Sequence, residues 1–249
     1  MLTLQNISKS YDSLRAVDGV SLTVPRGQVV GLIGPNGSGK SSLLSVISGL
    51  LDPDSGQIQF DGRDITKLSA DQRFQAGLVR SFQDPSLFFR MSVLDNTLLP
   101  VKEQVGERPV RAPMHGAWTA QETQAARDAG DVLTRLQLRD HSAELAAELS
   151  GGQMKLLELG RSLMGDPKML LLDEPTAGVA PNLAYTIFQQ IDAMRHDLGL
   201  TFLIVEHRLE ILFDFVDSVY VLHMGQVIAH GTPDEVAADA QVREVYFGE

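Results

Sequence analysis

Between an apolar run at residues 29–33 and an amphipathic segment at residues 41–48, the chain reads Gly34-Pro35-Asn36-Gly37-Ser38-Gly39-Lys40-Ser41. Two glycines five positions apart, followed by lysine and serine, are typical of a P-loop, whose backbone N–H groups curl around phosphate oxygens. A strand before the loop and a helix N-terminus after it, which favours an anion, complete the predicted context. We expect Lys40 to pair with the β- and γ-phosphates of ATP and Ser41 to ligate Mg²⁺, in a cradle that extends to Ser42. The alternative is a glycine-rich turn with an incidental lysine, and the flanking elements argue against it.

Apolar runs along the chain predict an α/β fold. Five of them are apolar enough to be strands covered on both faces, which is typical of a parallel sheet, and they are residues 29–33, 78–82, 169–173, 202–206 and 219–223. Helical patterns lie between several of these runs. Three shorter runs alternate in polarity, as antiparallel or edge strands do, and they are residues 2–7, 20–24 and 57–60.

The middle of the chain has a different pattern. From about residue 93 to residue 165 no strong strand signal is present. A polar stretch with proline and glycine at residues 100–116 predicts a surface loop, and helical patterns follow at residues 121–136 and 153–164. We expect a helical lobe inserted in the α/β domain.

The composition excludes several classes of function. The 249-residue chain carries a formal net charge of −11, which argues against nucleic acid as a main partner and against electrostatic docking on an anionic membrane. It contains no cysteine, so disulfides and thiolate metal sites are excluded. Residues 1–12 lack the pattern of a signal peptide, and no apolar run approaches the ~20 residues of a membrane helix. We therefore expect any contact with a membrane to be made through another protein.

A second apolar strand ends in two acids, in the sequence Met169-Leu170-Leu171-Leu172-Asp173-Glu174. In a chain with a P-loop, this pattern is typical of a Walker B strand. We expect Asp173 to hold the Mg²⁺ shell and Glu174 to polarise the attacking water. The alternative is a buried strand that ends in two solvated acids, which is common in isolation.

Before this strand the chain contains Leu149-Ser150-Gly151-Gly152-Gln153. This sequence resembles the signature of the ABC ATPases, and its place ahead of the Walker B strand is the place it has in that family. Ser150 is a favourable N-cap for the helix that follows, and the glycines permit close approach of a phosphate to the backbone. The alternative, the glycine-rich start of an ordinary helix, does not fit a position between a P-loop and a Walker B strand.

Further landmarks of that family follow in order, and the resemblance covers essentially the whole chain. By this resemblance Tyr11 is expected to stack on adenine, Gln83 to reach Mg²⁺ and the attacking water, and His207 to lie near the γ-phosphate. Gln83 is also expected to link the site to a transmembrane partner. Each of these residues by itself would be interpreted as an ordinary core or surface residue.

The resemblance implies a fold and a division of the chain. The fold is that of a P-loop NTPase, with a RecA-like parallel sheet, an N-terminal antiparallel β subdomain and an inserted α-helical lobe. Residues 1–249 are expected to form a single ABC ATPase domain. Within it, residues 1–84 and 166–249 are expected to form the core, and residues 85–165 the helical subdomain that carries the signature.

The resemblance also implies how the chain works with partners. Two such ATPase subunits close head to tail around two ATP molecules, so that residues 150–153 serve the nucleotide held by the other subunit. The motion is expected to reach two transmembrane permease subunits through a groove near residues 83–91, with apolar contacts from Leu87, Phe88 and Phe89. The alternative for these three residues is the core of the lobe. Ala180 stands where many ABC ATPases carry aspartate, so communication between the two ATP sites is expected to rest on backbone contacts.

The end of the chain resembles one group within the family. Residues 231–236 and 242–249, together with the sequence Arg80-Ser81-Phe82-Gln83, are similar to the ATPases of branched-chain amino acid importers. The insert at residues 100–116 is similar to the longer of their two paralogous ATPases. Such an importer pairs two ATPases and two permeases with a solute-binding protein, and the chain would lie at the cytoplasmic face of the membrane.

Three other functions remain open from the sequence. Lipopolysaccharide-export ATPases share a similar ending, so an exporter is one alternative. A soluble ABC ATPase of the iron–sulfur assembly type is the second. The third is a nucleotide-dependent module that does not hydrolyse ATP, and the presence of Glu174 and His207 argues against it.

Overall fold

The computed structural model of the protein describes residues 1–81, 86–107, 112–114, 116 and 118–247. Its strands are β1 (Leu2–Tyr11), β2 (Leu14–Val24), β3 (Val29–Ile33), β4 (Ser55–Phe60), β5 (Arg63–Asp64), β6 (Leu78–Arg80), β7 (Met169–Asp173), β8 (Thr201–Val205), β9 (Ser218–His223) and β10 (Gln226–Gly231). Its helices are α1 (Lys40–Ser48), α2 (Ala70–Gln75), α3 (Val93–Leu98), α4 (Thr119–Arg135), α5 (Gly151–Met164), α6 (Pro181–Leu198), α7 (Leu209–Leu212), α8 (Pro233–Ala238) and α9 (Ala240–Phe247). The chain divides into two compact units, one of Met1–Gln83 with Lys168–Glu249 and one of Asp84–Pro167.

The first unit contains a six-stranded sheet in the order β10-β9-β3-β8-β7-β6. All neighbouring strands from β9 to β6 are parallel, and β10 forms an antiparallel hairpin with β9. The five apolar runs predicted to be strands are confirmed, because each contains one strand of this sheet. The run at residues 78–82 is a strand only at Leu78–Arg80, and Phe82 lies outside the described residues. Every residue of β3, β7 and β8 is buried, which explains why apolar residues dominate these strands.

The second sheet of this unit has four strands in the antiparallel order β2-β1-β4-β5. Buried and exposed side chains alternate along much of these strands, as the polarity pattern of the first sixty residues predicts. One hydrophobic core joins residues of both sheets to helix α1, and it includes Leu4, Val24, Leu32, Leu43, Ile47, Ile58, Leu171 and Leu203. Helix α1 is therefore held by apolar packing along its length.

The second unit is helical in its described residues. Helices α3, α4 and α5 pack together, and the buried residues that they and their connections contribute include Val93, Ala129, Leu133, Leu138 and Leu157. Gly160 in α5 permits the close approach of α4, since a Cβ at this position would lie 2.8 Å from Leu136 Cδ1 and 3.3 Å from Val132 Cγ1. Helix α4 begins at Thr119, two residues before the predicted start, and α5 begins at Gly151, directly after the predicted N-cap Ser150 and two residues before its helical pattern. Of all the helices in the described part of the chain, none has the length and apolar character needed to cross a membrane.

Candidate functional site

The loop from β3 to α1 has a backbone that requires glycine at two positions. Gly34 and Gly39 have φ angles of 153° and 104°, in the region that disfavours side chains. A Cβ at Gly34 would overlap the carbonyl oxygen of Leu222, and a Cβ at Gly39 would overlap that of Ala16. The tight course of the P-loop therefore depends on close backbone contacts as well as on unusual dihedral angles.

Lys40 is the first residue of α1 and its side chain turns back into this loop. Its Nζ donates hydrogen bonds to the carbonyl oxygens of Gly34 at 2.7 Å and Pro35 at 3.0 Å, and it lies 3.4 Å from Ser38 Oγ. Only 6% of the residue is exposed. Burial lowers the pKa of the ammonium, and the carboxylates of Glu174 and Asp173 partly offset this effect.

The N-terminus of α1 adds to the positive potential of the loop. Within the described residues no side chain caps it, so its first N–H groups stay available to an acceptor. A buried cation and a helix N-terminus together favour an anion, and phosphate oxygens suit both. The remaining residues of the predicted cradle, from Asn36 to Ser42, form the turn itself and the first turn of α1.

Tyr11 ends β1 beside the same helix. Its ring is 42% exposed, and its hydroxyl lies 3.5 Å from Ser42 Oγ in the first turn of α1. The fold thus brings the predicted adenine-stacking residue to the edge of the predicted phosphate cradle, although 31 residues separate the two positions.

Asp173 ends strand β7 and has one occupied and one unoccupied carboxylate oxygen. Oδ2 accepts a hydrogen bond from Arg80 at 2.9 Å, and Arg80 also donates to Ser45 Oγ at 2.9 Å and Ser48 Oγ at 3.3 Å. Oδ1 is buried and has no hydrogen-bond partner among the described residues. A buried, unpaired carboxylate oxygen is costly unless something binds it.

These oxygens suit Mg²⁺. The ion is commonly held by one or two carboxylates, a hydroxyl, water and phosphate oxygens rather than by a cage of protein ligands. Asp173 Oδ1 and the Ser41 hydroxyl are donors of this kind, and the described residues contain no cluster of three or more His, Cys, Asp or Glu that would hold a metal by itself. Residue Gln83, the third predicted ligand, lies outside the described residues.

Glu174 and His207 follow two adjacent parallel strands and meet at their carboxyl ends. Glu174 Oε1 lies 2.9 Å from His207 Nε2, and the N–H of Glu174 donates to Val205 O at 2.9 Å. Glu174 has a φ angle of 49°, so a non-glycine residue adopts the left-handed conformation directly after the strand. A carboxylate held by an imidazole at this edge is suited to accept a proton from water. The P-loop, Asp173 and this pair lie at the same edge of the sheet, because β3, β8 and β7 are neighbouring parallel strands whose carboxyl ends meet there.

Sequence reasoning missed Glu206, which directly follows β8 and is buried with 3% exposure. Its Oε1 accepts hydrogen bonds from the N–H and the hydroxyl of Thr176, and its Oε2 accepts from the N–H groups of His207 at 2.7 Å and Arg208 at 3.3 Å. The available signal was an acid at the end of an apolar run, the same pattern that identifies Asp173 at the end of β7.

The signature residues lie in the helical unit, at the start of α5. Ser150 caps this helix in a capping box with Gln153, as the sequence predicts for Ser150. Gln153 Oε1 accepts from the Ser150 N–H at 2.9 Å, and Gln153 Nε2 lies 3.0 Å from His141 Nε2. Gly151 is exposed and Gly152 is buried. Both polar side chains are thus engaged within the unit.

The predicted permease contacts also lie in this unit and differ in exposure. Leu87 is buried with 7% exposure, which favours the alternative of a core residue. Phe88 and Phe89 are about half exposed, at 53% and 49%, and the Arg161 guanidinium stands 5.8 Å from the centre of the Phe88 ring. Two adjacent exposed aromatic rings are unusual on a surface without a partner.

Comparison with known sequences identifies the class. The model of the family described as ABC transporter matches residues 17–177, and a model described as branched-chain amino acid ATP-binding cassette transporter matches residues 226–249. The chain therefore belongs to the ABC transporter family, as an ATP-binding subunit.

Individual relatives cover the whole chain. The probable branched-chain amino acid transport ATP-binding protein LivG of Methanocaldococcus jannaschii is 43% identical over 253 residues, with 100% of this chain and 98% of the relative covered. The lipopolysaccharide export system ATP-binding protein LptB of Haemophilus influenzae is 35% identical over 249 residues, with 100% and 98% covered. A crystal structure of an ATP-binding cassette of an ABC transporter in its ADP conformation matches with a TM-score of 0.87 and 42% identity, covering 100% of this chain and 99% of that one.

These findings confirm the resemblance and the fold class predicted from the sequence. The chain is an ATPase that binds nucleotide and serves a transporter.

Proposed function

We propose that this chain hydrolyses ATP to drive the import of branched-chain amino acids or of related small amides and acids. The observation that carries the proposal is the match of residues 226–249, a segment outside the catalytic motifs, to the branched-chain amino acid family. A relative named for branched-chain amino acid transport that aligns over the entire chain supports it. Both units would act as one ATPase domain, with the helical signature subdomain at residues 85–165.

Hydrolysis is assigned to residues at the carboxyl edge of the parallel sheet. Glu174 would accept the proton of the attacking water, and His207, 2.9 Å from it, would hold its carboxylate in place. Lys40 would leave its contacts with the loop carbonyls to pair with phosphate oxygens, a change of partner within one small loop.

Mg²⁺, which Asp173 and Ser41 would hold, neutralises phosphate charge when bound. Tyr11 would stack on the base, and Gln83 would reach the ion and the water.

The signature would act on a second ATPase subunit. The side chains of Ser150 and Gln153 already bond to each other, so the backbone N–H groups of the first residues of the 14-residue helix α5 are the groups best able to meet a partner's phosphate. Gly151 is exposed and has open space around it, so it keeps the approach to these groups open. ATP binding would favour the closed dimer by differential affinity, and loss of the γ-phosphate would release it.

The partners in the membrane would be two permease subunits, with a solute-binding protein acting through them. Phe88 and Phe89 are the candidates for permease contact because both rings are exposed. The chain would therefore be peripheral, at the cytoplasmic face of the membrane.

A second candidate function is lipopolysaccharide export, which is favoured by the similarity to LptB over the whole chain. The lower identity, 35% against 43% for the LivG relative, makes it the second choice. A soluble ABC ATPase of the iron–sulfur assembly type has no comparable observation in its favour.

The test is affinity purification of the tagged chain from detergent-solubilised membranes of its own host, with ATP turnover recorded. Two permeases, a second ATPase and turnover raised by a solute-binding protein loaded with leucine would support the importer. Recovery of lipopolysaccharide-export components, or of soluble partners alone, would contradict it.

In a Phe88→Ser/Phe89→Ser variant we expect loss of the permeases with ATP binding retained. Met224→Ser is the matched control, since Met224 is 76% exposed in the other unit.

A further inference from the structure

A buried carboxylate joins the two segments that carry the proposed catalytic pair. Glu206 receives four hydrogen bonds, two from Thr176 in the segment after β7 and two from the backbone at His207 and Arg208 in the segment after β8. None of the four donors is a cation, so this is a buried anion held by neutral N–H and O–H groups. Burying a carboxylate is expensive, and bonds to an ionised acceptor are about twice as strong as neutral ones.

Two further contacts run between the same segments. Arg208 donates through one guanidinium nitrogen to the carbonyl oxygen of Val179 at 2.6 Å. The N–H of Glu174 donates to Val205 O at 2.9 Å. The segment at residues 174–179 is thus bound to residues 205–208 at both of its ends, and Glu206 provides the links in the middle.

We propose that Glu206 is a positioning residue. By holding the backbone of His207 against Thr176, its carboxylate keeps His207 Nε2 at hydrogen-bond distance from Glu174 Oε1. The same contacts transmit displacement of residues 176–180 to His207. The proposal rests on the roles of Glu174 and His207 proposed above. It gives a concrete form to the expectation, drawn from Ala180, that this segment communicates through backbone contacts, since Glu206 and Arg208 bind its N–H and C=O groups.

The first variant is Glu206→Gln, which has nearly the same shape. An amide has one oxygen acceptor, so its NH2 group must face donors at one end of the present contact. We expect kcat for ATP to fall about tenfold or more from misplacement of the pair, while KM for ATP changes less than about twofold. Because a purely structural role would lower the folded fraction, and with it the apparent kcat at constant KM, kcat is expressed per folded molecule, with the folded fraction measured by circular dichroism.

The second variant, Thr176→Val, removes one hydroxyl donor to Glu206 and keeps the backbone N–H. It tests the proposal even if Glu206→Gln does not fold. Its matched control is Thr201→Val, because Thr201 is also fully buried and its hydroxyl oxygen accepts the N–H of Gly27 at 2.9 Å, at the opposite end of β8. We expect Thr176→Val to lower kcat about threefold or more and Thr201→Val to lower the melting temperature only. The losses of Glu206→Gln and Thr176→Val should also be non-additive in the double variant, because they remove one shared contact.

The full-length chain is assayed in steady-state ATP turnover, with nucleotide affinity measured by a fluorescent ATP analogue and Glu174→Gln assayed in parallel. If Glu174→Gln loses turnover but Glu206→Gln and Thr176→Val keep kcat within about twofold of Thr201→Val, the positioning role is overturned and the proposed catalytic base stands. If Glu174→Gln retains turnover, the catalytic assignment fails and the positioning role fails with it. Equal kcat losses in Thr176→Val and Thr201→Val would also overturn the proposal, since the effect would then be one of stability.

Discussion

Arg73 in helix α2 is completely buried, and its replacement gives a quantitative test of how the first unit is held together. Its guanidinium donates to four carbonyl oxygens, those of Val46 at 2.6 Å, Ile47 at 2.8 Å, Leu68 at 2.9 Å and Thr66 at 2.9 Å. Two of these acceptors are in the last turn of α1, where a cation is favourable. Burial lowers the pKa of Arg73, and the charge of Asp52 partly opposes this effect.

Arg73→Met should therefore destabilise the chain strongly. Methionine fills much of the same space but donates no hydrogen bond, so the four hydrogen bonds donated by Arg73 are lost. At about 1 kcal/mol for each lost bond, the free energy of unfolding should fall by about 4 kcal/mol. For a chain of this size that corresponds to a fall of about 8–16 °C in melting temperature. Arg73→Lys, with three donors on one nitrogen, should lose about half as much, ~2 kcal/mol.

Urea unfolding followed by circular dichroism measures these differences. The control is Arg63→Met, which removes an exposed arginine and should change stability by less than about 0.5 kcal/mol. ATP turnover per folded molecule should be kept in Arg73→Met, because its contacts are at the C-terminal end of α1 and the P-loop precedes the N-terminal end. A loss below about 1 kcal/mol in Arg73→Met, or an equal loss in Arg73→Lys, would refute the account based on donated hydrogen bonds.

Three other predictions concern the nucleotide site and the free energy of unfolding at acidic pH. Glu174→Gln should keep ATP binding, lose turnover and accumulate as a closed dimer in size-exclusion chromatography with ATP; unchanged or faster hydrolysis would contradict its role as the base. Gly39→Ala should abolish binding of a fluorescent ATP analogue, because the added Cβ would overlap Ala16 O. Gly37→Ala should bind the analogue more tightly than Gly39→Ala, because a Cβ at Gly37 would have open space around it. Equal affinities of the two variants would contradict the steric account. The pKa of Asp64 is lowered from 3.8 to about 2, chiefly by its hydrogen bond with a neighbouring threonine hydroxyl, so its stabilising effect is present above pH 3.8 and is lost as the pH falls towards about 2. Urea unfolding of Asp64→Asn should therefore show a deficit at pH 5 that shrinks towards pH 3, and a deficit independent of pH would disprove this linkage.

Much of the fold was accessible from the sequence because its signals are local. Predominantly apolar runs predicted the buried parallel strands, since a strand covered on both faces has no polar face. The P-loop and the signature were accessible for a similar reason, because glycines and an N-cap serine act on the backbone of their own segment. The start of a helix without such a cap was less accurate: α4 begins at Thr119, two residues before the pattern on which the prediction depended.

The contacts that arrange the site were not accessible, because they join distant parts of the chain. Thr176 and Glu206 are 30 positions apart, and Arg73 reaches carbonyls 26 and 27 positions away. A sequence shows that an acid ends a strand, but only the fold decides which donors surround it. For the same reason Asp173 and Glu206, two acids in similar patterns, differ in environment. Among the residues that the structure describes, one oxygen of Asp173 has no partner and suits a metal, whereas both oxygens of Glu206 accept hydrogen bonds.

The parallel order of three strands explains why we expect the proposed catalytic pair to depend on the hydrogen bonds of Glu206. Strands β3, β8 and β7 are neighbours, and Asp173 pairs in register with Val205, so the residues that follow β7 and β8 leave the sheet side by side. Register alone places the backbones of Glu174 and His207 near each other, but each side chain could still turn away once the ladder ends. The carboxylate of Glu206, fixed between the two departing segments, removes that freedom where the sheet no longer does. A site that has to change state when nucleotide is hydrolysed can thus be stiff within the sheet and adjustable through a few hydrogen bonds at its edge.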